Sequence, residues 1–128
     1  MARMTENLRR AAAAALAVVG AIHIILSPEY FGEQAYIGVL FVLGGVALLA
    51  FSYRLWRADD VPSWLLGALT MAGMGIGFVL SRTTGLPGFH ESEWEPSGVL
   101  SVLLELGFIG ALALHARVRP ARRLARAA

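Results

Sequence analysis

The sequence contains no cysteine and no lysine, and only 16% of its 128 residues are charged. The lack of cysteine excludes disulfide bonds, thiolate metal sites and a cysteine nucleophile. The charged fraction is below the roughly 25% of an average soluble domain, whereas the hydrophobic fraction of 57% is high. The composition therefore excludes an ordinary soluble domain, a disordered tail and a disulfide-stabilised secreted module. It indicates an integral membrane protein.

Four apolar stretches are long enough to cross a membrane, since a hydrocarbon core of roughly 30 Å needs about 20 helical residues. Pro28 is expected to end the first helix, and Asp60 is expected to cap the third. Ser92 and Glu95 have the spacing of a capping box before the fourth helix. We predict an all-α membrane protein that forms one transmembrane domain over residues 1–128. The helices are expected at about 8–26, 36–53, 61–80 and 98–116, with outer loops at 27–35 and 82–96.

Positive charge is distributed unevenly between the two sides of these helices. Arg82 lies in a predicted outer loop, whereas all other arginines lie at or before the start of the first helix, between the second and third, or after the fourth. The positive-inside rule therefore predicts an up-down bundle with both termini in the cytoplasm. The basic tail 117–126 is expected to contact anionic lipid headgroups rather than nucleic acid. The run from Ala11 to Leu26 also resembles a signal peptide, but it lacks a clear small-x-small cleavage site before Ser27.

Two ionisable residues, His23 and Glu105, stand out because they lie well inside the predicted helices, away from the ends. His23 would lie about 6 Å and Glu105 about 10 Å inside the outer boundary, at 1.5 Å per helical residue. An acid at the centre of a membrane helix costs at least roughly 2.5–3.5 kcal/mol, so such residues face the bundle interior and find partners. Because the first and fourth helices are neighbours in an up-down bundle, we expect a direct or water-bridged contact between His23 and Glu105.

Small and polar residues extend this site along two further helical stripes. Gly73 and Gly77 have the GxxxG spacing that allows close helix packing, so they could pack the bundle or a dimer instead of lining a site. Arg82 has two interpretations as well, a structural ion pair that holds the outer loop or a clamp for an anion. The stripes comprise Thr70, Gly73, Gly77, Ser81 and Arg82 on the third helix, and Gly98, Ser101 and Glu105 on the fourth. On the first helix, Gly20, His23 and Ser27 share one stripe at separations of three and four.

Several strings in the sequence carry a resemblance to a known family. They are Ser81 to Gly88 (SRTTGLPG), Glu93 to Pro96 (EWEP) with Glu105 beyond, and His23 to Tyr30 (His-x4-Pro-Glu-Tyr). With these strings the chain resembles a family of small, uncharacterised bacterial integral membrane proteins, over nearly its whole length. The resemblance implies four membrane helices in a bacterial cytoplasmic (plasma) membrane, and it carries over no activity.

The polar residues are compatible with more than one function. Histidine and carboxylates that converge from several helices can hold a divalent metal ion, although no fixed ligand spacing marks such a site here. We predict an outward-facing site that binds a metal cation or a small polar ligand. The predicted ligand-binding residues are His23, Glu29, Arg82, Glu95 and Glu105, of which His23, Glu29 and Glu105 would hold a single divalent metal ion.

Two other functions stay open at this point. The chain could be a non-catalytic accessory subunit of a larger membrane complex, or a small proton- or cation-coupled transporter that forms a homo-oligomer. No pattern marks a catalytic residue, so an enzyme is the least favoured of these functions.

Overall fold

The structure is a computed structural model that describes residues 2–127, and of residues 120–126 it describes the backbone only. Each of its helices is long and apolar enough to cross a membrane. The prediction of four membrane-length helices is confirmed, and together they indicate a membrane protein. For residues 120–126, the predicted contact with lipid headgroups concerns side chains that lie outside the described part of the structure. The helices are α1 (Ala2–Glu33), α2 (Ala35–Arg57), α3 (Val61–Arg82) and α4 (Pro96–Ala127), and α4 extends past the predicted end at 116.

Helix α1 continues through Pro28, so the predicted outer loop at 27–35 is wrong. A proline has no N–H to donate to the carbonyl four residues earlier, here that of Ile24. The hydroxyl of Ser27 donates to the Ile24 carbonyl oxygen instead, at 2.7 Å. This local replacement keeps the carbonyl hydrogen-bonded and lets the helix continue. Gln34 alone separates α1 from α2.

The remaining helix ends follow the predicted signals in part. The side chain of Asp60 accepts a hydrogen bond from the backbone N–H of Ser63 at 3.1 Å, which confirms the predicted cap of α3. The capping box with Ser92 as its first residue does not form. Its prediction fails because α4 begins at Pro96, so that Glu95 precedes the helix instead of lying in its first turn.

The main apolar core lies towards the short α2–α3 connection at residues 58–60, which we call the connector end. Helix α1 contacts α2 and α4, and α3 contacts the same two helices. Lipid chains are as apolar as the side chains of this core, so close packing of the helices, rather than removal of apolar surface from water, stabilises it and sets the helix spacing. The largest fully buried side chains of this core are those of Trp64, Phe108, Leu16, Leu48, Leu55, Met71 and Val19.

Polar groups at the connector end are paired. The Nε2 atom of His115 lies 2.9 Å from a carboxylate oxygen of Asp59, and the indole N–H of Trp64 donates to the same carboxylate at 2.9 Å. The His115 ring also stacks on Trp64 at 4.6 Å between centroids. Burial disfavours the charged form of Asp59, but the hydrogen bonds from His115 and Trp64 outweigh it, so the pKa of Asp59 lies below its ordinary value.

The C-terminus of α2 is also capped at the connector end. The guanidinium of Arg9, on α1, donates to the backbone carbonyls of Leu55 and Trp56, each at 2.6 Å. The last carbonyls of a helix have no partner within the helix, and a cation is favoured beside them. Arg9 therefore fixes the start of α1 to the end of α2.

Candidate ligand-binding cavity

A cavity of about 320 Å³ lies between the helices, beside the long loop at residues 83–95 that joins α3 to α4. All four helices and this α3–α4 loop contribute to its lining, which is mostly apolar. Of the predicted site residues, Glu29 is exposed and is not among the lining residues, whereas the other four line the cavity. The polar side chains that line it are His23, Tyr30, Thr70, Ser81, Arg82, Glu95, Ser101 and Glu105.

Glu105 and Ser101, one helical turn apart on α4, are the unpaired polar groups of this cavity. Their exposed fractions are only 4% and 5%, yet within the described residues neither the Glu105 Oε2 atom nor the Ser101 Oγ atom has a hydrogen-bond partner. An unsatisfied buried polar group costs about 1–3 kcal/mol, and more if it is charged. The structure therefore holds a carboxyl group and a hydroxyl ready to accept a hydrogen bond from something else.

The backbone of α3 makes room for the Glu105 carboxyl group. A Cβ atom placed on Gly75 would lie 2.6 Å from Glu105 Oε2, closer than real Cβ contacts allow. Glycine at this position thus lets the carboxyl group lie against α3. The direct form of the expected contact between His23 and Glu105 is absent, since no hydrogen bond joins them in the described part of the chain. Both residues nevertheless line the same cavity.

The His23 ring is oriented by its own helix. Its Nδ1 atom lies 2.9 Å from the carbonyl oxygen of Val19. A carbonyl oxygen only accepts, so Nδ1 carries the hydrogen, and in the neutral ring Nε2 is then an acceptor. The ring packs against Phe41 at 4.7 Å between centroids, which fixes it at the cavity wall.

Arg82 is the most highly connected polar side chain of the cavity. Its Nε donates to the Glu93 carbonyl at 3.0 Å, Nη1 to the Ser81 hydroxyl at 2.8 Å, and Nη2 to the Tyr30 hydroxyl at 3.3 Å. Nη2 also lies 3.8 Å from Glu95 Oε1. These contacts occupy the guanidinium with protein groups from α1, α3 and the loop. They favour the structural role of Arg82 over that of an anion clamp.

The α3–α4 loop is folded over the cavity. Gly85 and Gly88 have positive φ angles of 82° and 65°, a backbone conformation that glycine adopts without strain. Between them the chain turns so that Leu86 and Phe89 exchange backbone hydrogen bonds of 2.7 and 2.9 Å. Both of these side chains line the cavity. Together with the Arg82 contacts, the turn holds the loop as a cover.

The wall between α2 and α3 is incomplete. Leu40 and Leu43 on α2 line the cavity although 57% and 62% of their surface is exposed. Gly73 and Gly77 line it from α3, and nothing lies within 4 Å of a Cβ placed on either. In the described chain this GxxxG pair thus leaves open space instead of packing against a helix. The cavity is open sideways, through the apolar surface of the helices.

Sequence reasoning missed Tyr30 as a partner of Arg82. Tyr30 lies seven residues after His23 and three after Ser27, so it continues the same stripe of α1. The expected end of the helix at Pro28 removed it from that stripe. The missing signal was the serine directly before the proline, which supplies the replacement hydrogen bond.

The predicted metal site is not assembled. The described residues contain no group of three or more histidine, cysteine, aspartate or glutamate side chains that could hold a metal ion. Of the three predicted ligands, His23 and Glu105 share the cavity, while Glu29 lies outside its lining. The cavity resembles a site for a small organic molecule more than a metal centre, because apolar walls with a few polar groups are typical of such sites.

Comparison of the chain with protein-family models, with curated proteins and with solved structures gave no match. The resemblance to the family of small bacterial membrane proteins therefore stays a prediction.

Proposed function

We propose that this protein is an integral membrane protein that binds a small organic molecule in the cavity between its helices, with Glu105 and Ser101 contacting the polar part of that molecule. The arginine distribution supports an up-down bundle in a bacterial cytoplasmic membrane, with both termini in the cytoplasm and the α3–α4 loop outside. In this orientation the cavity lies in the outer half of the membrane.

The observation that carries this proposal is the unpaired state of Glu105 and Ser101 inside a preformed cavity. An intramembrane acid with a purely structural role would be expected to bond a neighbouring helix. Here the neighbouring polar groups are engaged elsewhere: Arg82 with the loop and Tyr30, and His23 Nδ1 with its own helix. A bound molecule would supply the partner that the protein does not.

The size and openness of the cavity support the same function. A volume of about 320 Å³ is at the lower end of the roughly 300–1,000 Å³ found for small-molecule sites. The gap beside Leu40 and Leu43 opens towards the position of the bilayer acyl chains, which gives a lipid-soluble molecule a route to the cavity. The α3–α4 loop covers the remaining side.

A cavity-filling variant tests the proposal. The protein in lipid nanodiscs is titrated by calorimetry with phenethylamine and with phenethyl alcohol, and empty nanodiscs serve as the blank for partitioning into lipid. We expect saturable binding of at least one probe, and a loss of roughly tenfold or more in affinity for Gly77→Leu, because the new side chain would occupy the cavity. Gly107→Leu is the matched control, since Gly107 also has open space around it but does not line the cavity.

Two results would contradict the proposal. One is that neither probe binds above the empty-nanodisc blank. The other is that Gly77→Leu and Gly107→Leu change binding equally, because the site would then lie elsewhere on the protein.

A further inference from the structure

We infer that the cavity selects a small lipophilic amine in its ammonium form, with Glu105 as the counter-ion. This inference rests on the proposed function and names the chemical class of its ligand. It follows from the hydrogen bonds that the lining residues have already made and from those that they still can make.

Most hydrogen-bond donors of the cavity are used by the protein, apart from the Ser101 hydroxyl and part of the Arg82 guanidinium. Arg82 donates to Glu93, Ser81 and Tyr30. The hydroxyl of Ser81 donates to the Phe78 carbonyl at 2.7 Å. In the same way, the Thr70 hydroxyl donates to the Leu66 carbonyl at 2.8 Å, and the Tyr30 hydroxyl lies 3.5 Å from Glu95 Oε2. A ligand rich in acceptors, such as a carboxylate or a phosphate, would find few free donors.

The hydrogen-bonding groups of the lining that have no protein partner are mainly acceptors. They comprise the carboxyl oxygens of Glu105, the Nε2 atom of neutral His23 and the hydroxyl of Ser101, which can also accept. These groups lie on α1 and α4, helices that contact each other. Such a set matches the three N–H donors of a primary ammonium group.

The charges of the lining residues lead to the same class of ligand. Arg82 lies near Glu95, so these two opposite charges compensate each other. Glu105 is then the acid in the lining without a countercharge, and one positive charge on the ligand would balance it. Transfer of an unpaired charge out of water is costly, and pairing it inside the cavity recovers part of that cost.

The apolar lining accommodates the remainder of such an amine. The aromatic rings of Phe41 and Phe89 line the cavity, and the faces of aromatic rings attract cations. The ring of Phe78 also lines it, but the Arg82 guanidinium already lies over that ring, 4.1 Å from its centroid. The sideways opening beside Leu40 and Leu43 admits an apolar chain or ring from the bilayer. These apolar walls offer no ligand atoms to a metal ion.

Three probes of one shape separate the possibilities: phenethylamine, phenethyl alcohol and hydrocinnamate, each titrated into the wild-type protein in nanodiscs. We expect phenethylamine to bind roughly tenfold or more tightly than the alcohol, as for a hydrogen bond to a charged group, and hydrocinnamate to bind most weakly. Glu105→Gln should remove most of the preference for the amine. Glu29→Gln, which changes an exposed carboxylate outside the lining, should keep it.

The possible failures are distinguishable from one another. Equal binding of amine and alcohol to the wild type, with both lost in Gly77→Leu, would overturn the amine inference and leave the proposed function intact. Absence of saturable binding for all three probes would overturn both. Stoichiometric binding of zinc chloride alone that is lost in Glu105→Gln, without amine binding, would replace the amine by a metal. The comparison of probes on the wild type needs no variant, so it decides the question even if Glu105→Gln fails to fold.

Discussion

Replacement of Glu105 by methionine is expected to stabilise the ligand-free protein. Methionine has a similar length and no branching, so it fills the space of the glutamate side chain beside Gly75 without a new clash. It also removes the buried Oε2 atom that has no partner in the described structure. Replacement of a residue that binds a ligand, and does not stabilise the fold, should increase the free energy of unfolding in this way.

The expected magnitude follows from the position of the side chain. Loss of an unsatisfied buried polar group is worth about 1–3 kcal/mol. Insertion of an acid at the centre of a membrane helix costs at least roughly 2.5–3.5 kcal/mol, and methionine removes this cost as well. Glu105 is 4% exposed and lies inside α4, so both values apply to it. We therefore expect Glu105→Met to raise the free energy of unfolding by at least about 1–3 kcal/mol.

Equilibrium unfolding in mixed detergent micelles, followed by circular dichroism, measures this change. Arg82→Met is the contrasting variant, because Arg82 is buried and makes hydrogen bonds to Tyr30, Ser81 and Glu93. Hydrogen bonds that involve a charged group contribute about 1.5–3 kcal/mol each, so the loss of the Arg82 contacts is expected to lower the free energy of unfolding. A loss of stability above about 1 kcal/mol for Glu105→Met would refute the reasoning, since it would show that the carboxyl group has a structural partner.

Three further predictions concern single contacts. Gly75→Ala would place a Cβ 2.6 Å from Glu105 Oε2, so phenethylamine affinity in calorimetry should fall severalfold, whereas Gly110→Ala, with nothing within 4 Å, should leave it unchanged. Because the pKa of Asp59 lies below its ordinary value of 3.8, its contribution to stability is present above that value and is lost as the pH falls through the lowered folded-state pKa. Thermal unfolding of Asp59→Asn should therefore lack this acid-dependent part, and an unaltered acid profile would contradict the assignment. Ser27→Ala should cost about 0.5–1.5 kcal/mol in the micelle assay, because it removes the hydroxyl that replaces the proline N–H; an unchanged free energy of unfolding would show that this hydrogen bond contributes nothing.

Much of the fold is predictable from the sequence because hydrophobic length and helix-end residues act locally. Asp60 caps α3 because one side chain reaches one backbone N–H, and this needs no information from elsewhere in the chain. The continuation of α1 through Pro28 does not follow from these local rules. The proline removes one amide hydrogen, and the hydroxyl of Ser27 replaces the lost hydrogen bond. Whether the helix ends or continues depends on which of these two local effects prevails.

For the candidate site, the sequence predicts which residues take part but not how they pair. Helical spacing placed His23, Arg82 and Glu105 on inward stripes, and the cavity contains all three. Their partners depend on side-chain reach across helices, which spacing does not specify. For this reason the pairing of Arg82 with Tyr30, and the absence of a bond between His23 and Glu105, emerge only in three dimensions.

The distribution of paired and unpaired polar groups along the molecule argues against a purely structural role for Glu105. At the connector end, Asp59 is held by hydrogen bonds from two side chains, and Arg9 caps α2. At the loop end, Arg82 is held by groups from three segments. Between these two ends the described residues leave Glu105 and Ser101 unpaired, beside open space. A fold that satisfies its polar groups above and below this point has the means to satisfy these two as well, so a ligand that donates hydrogen bonds is the simplest reason for the exception.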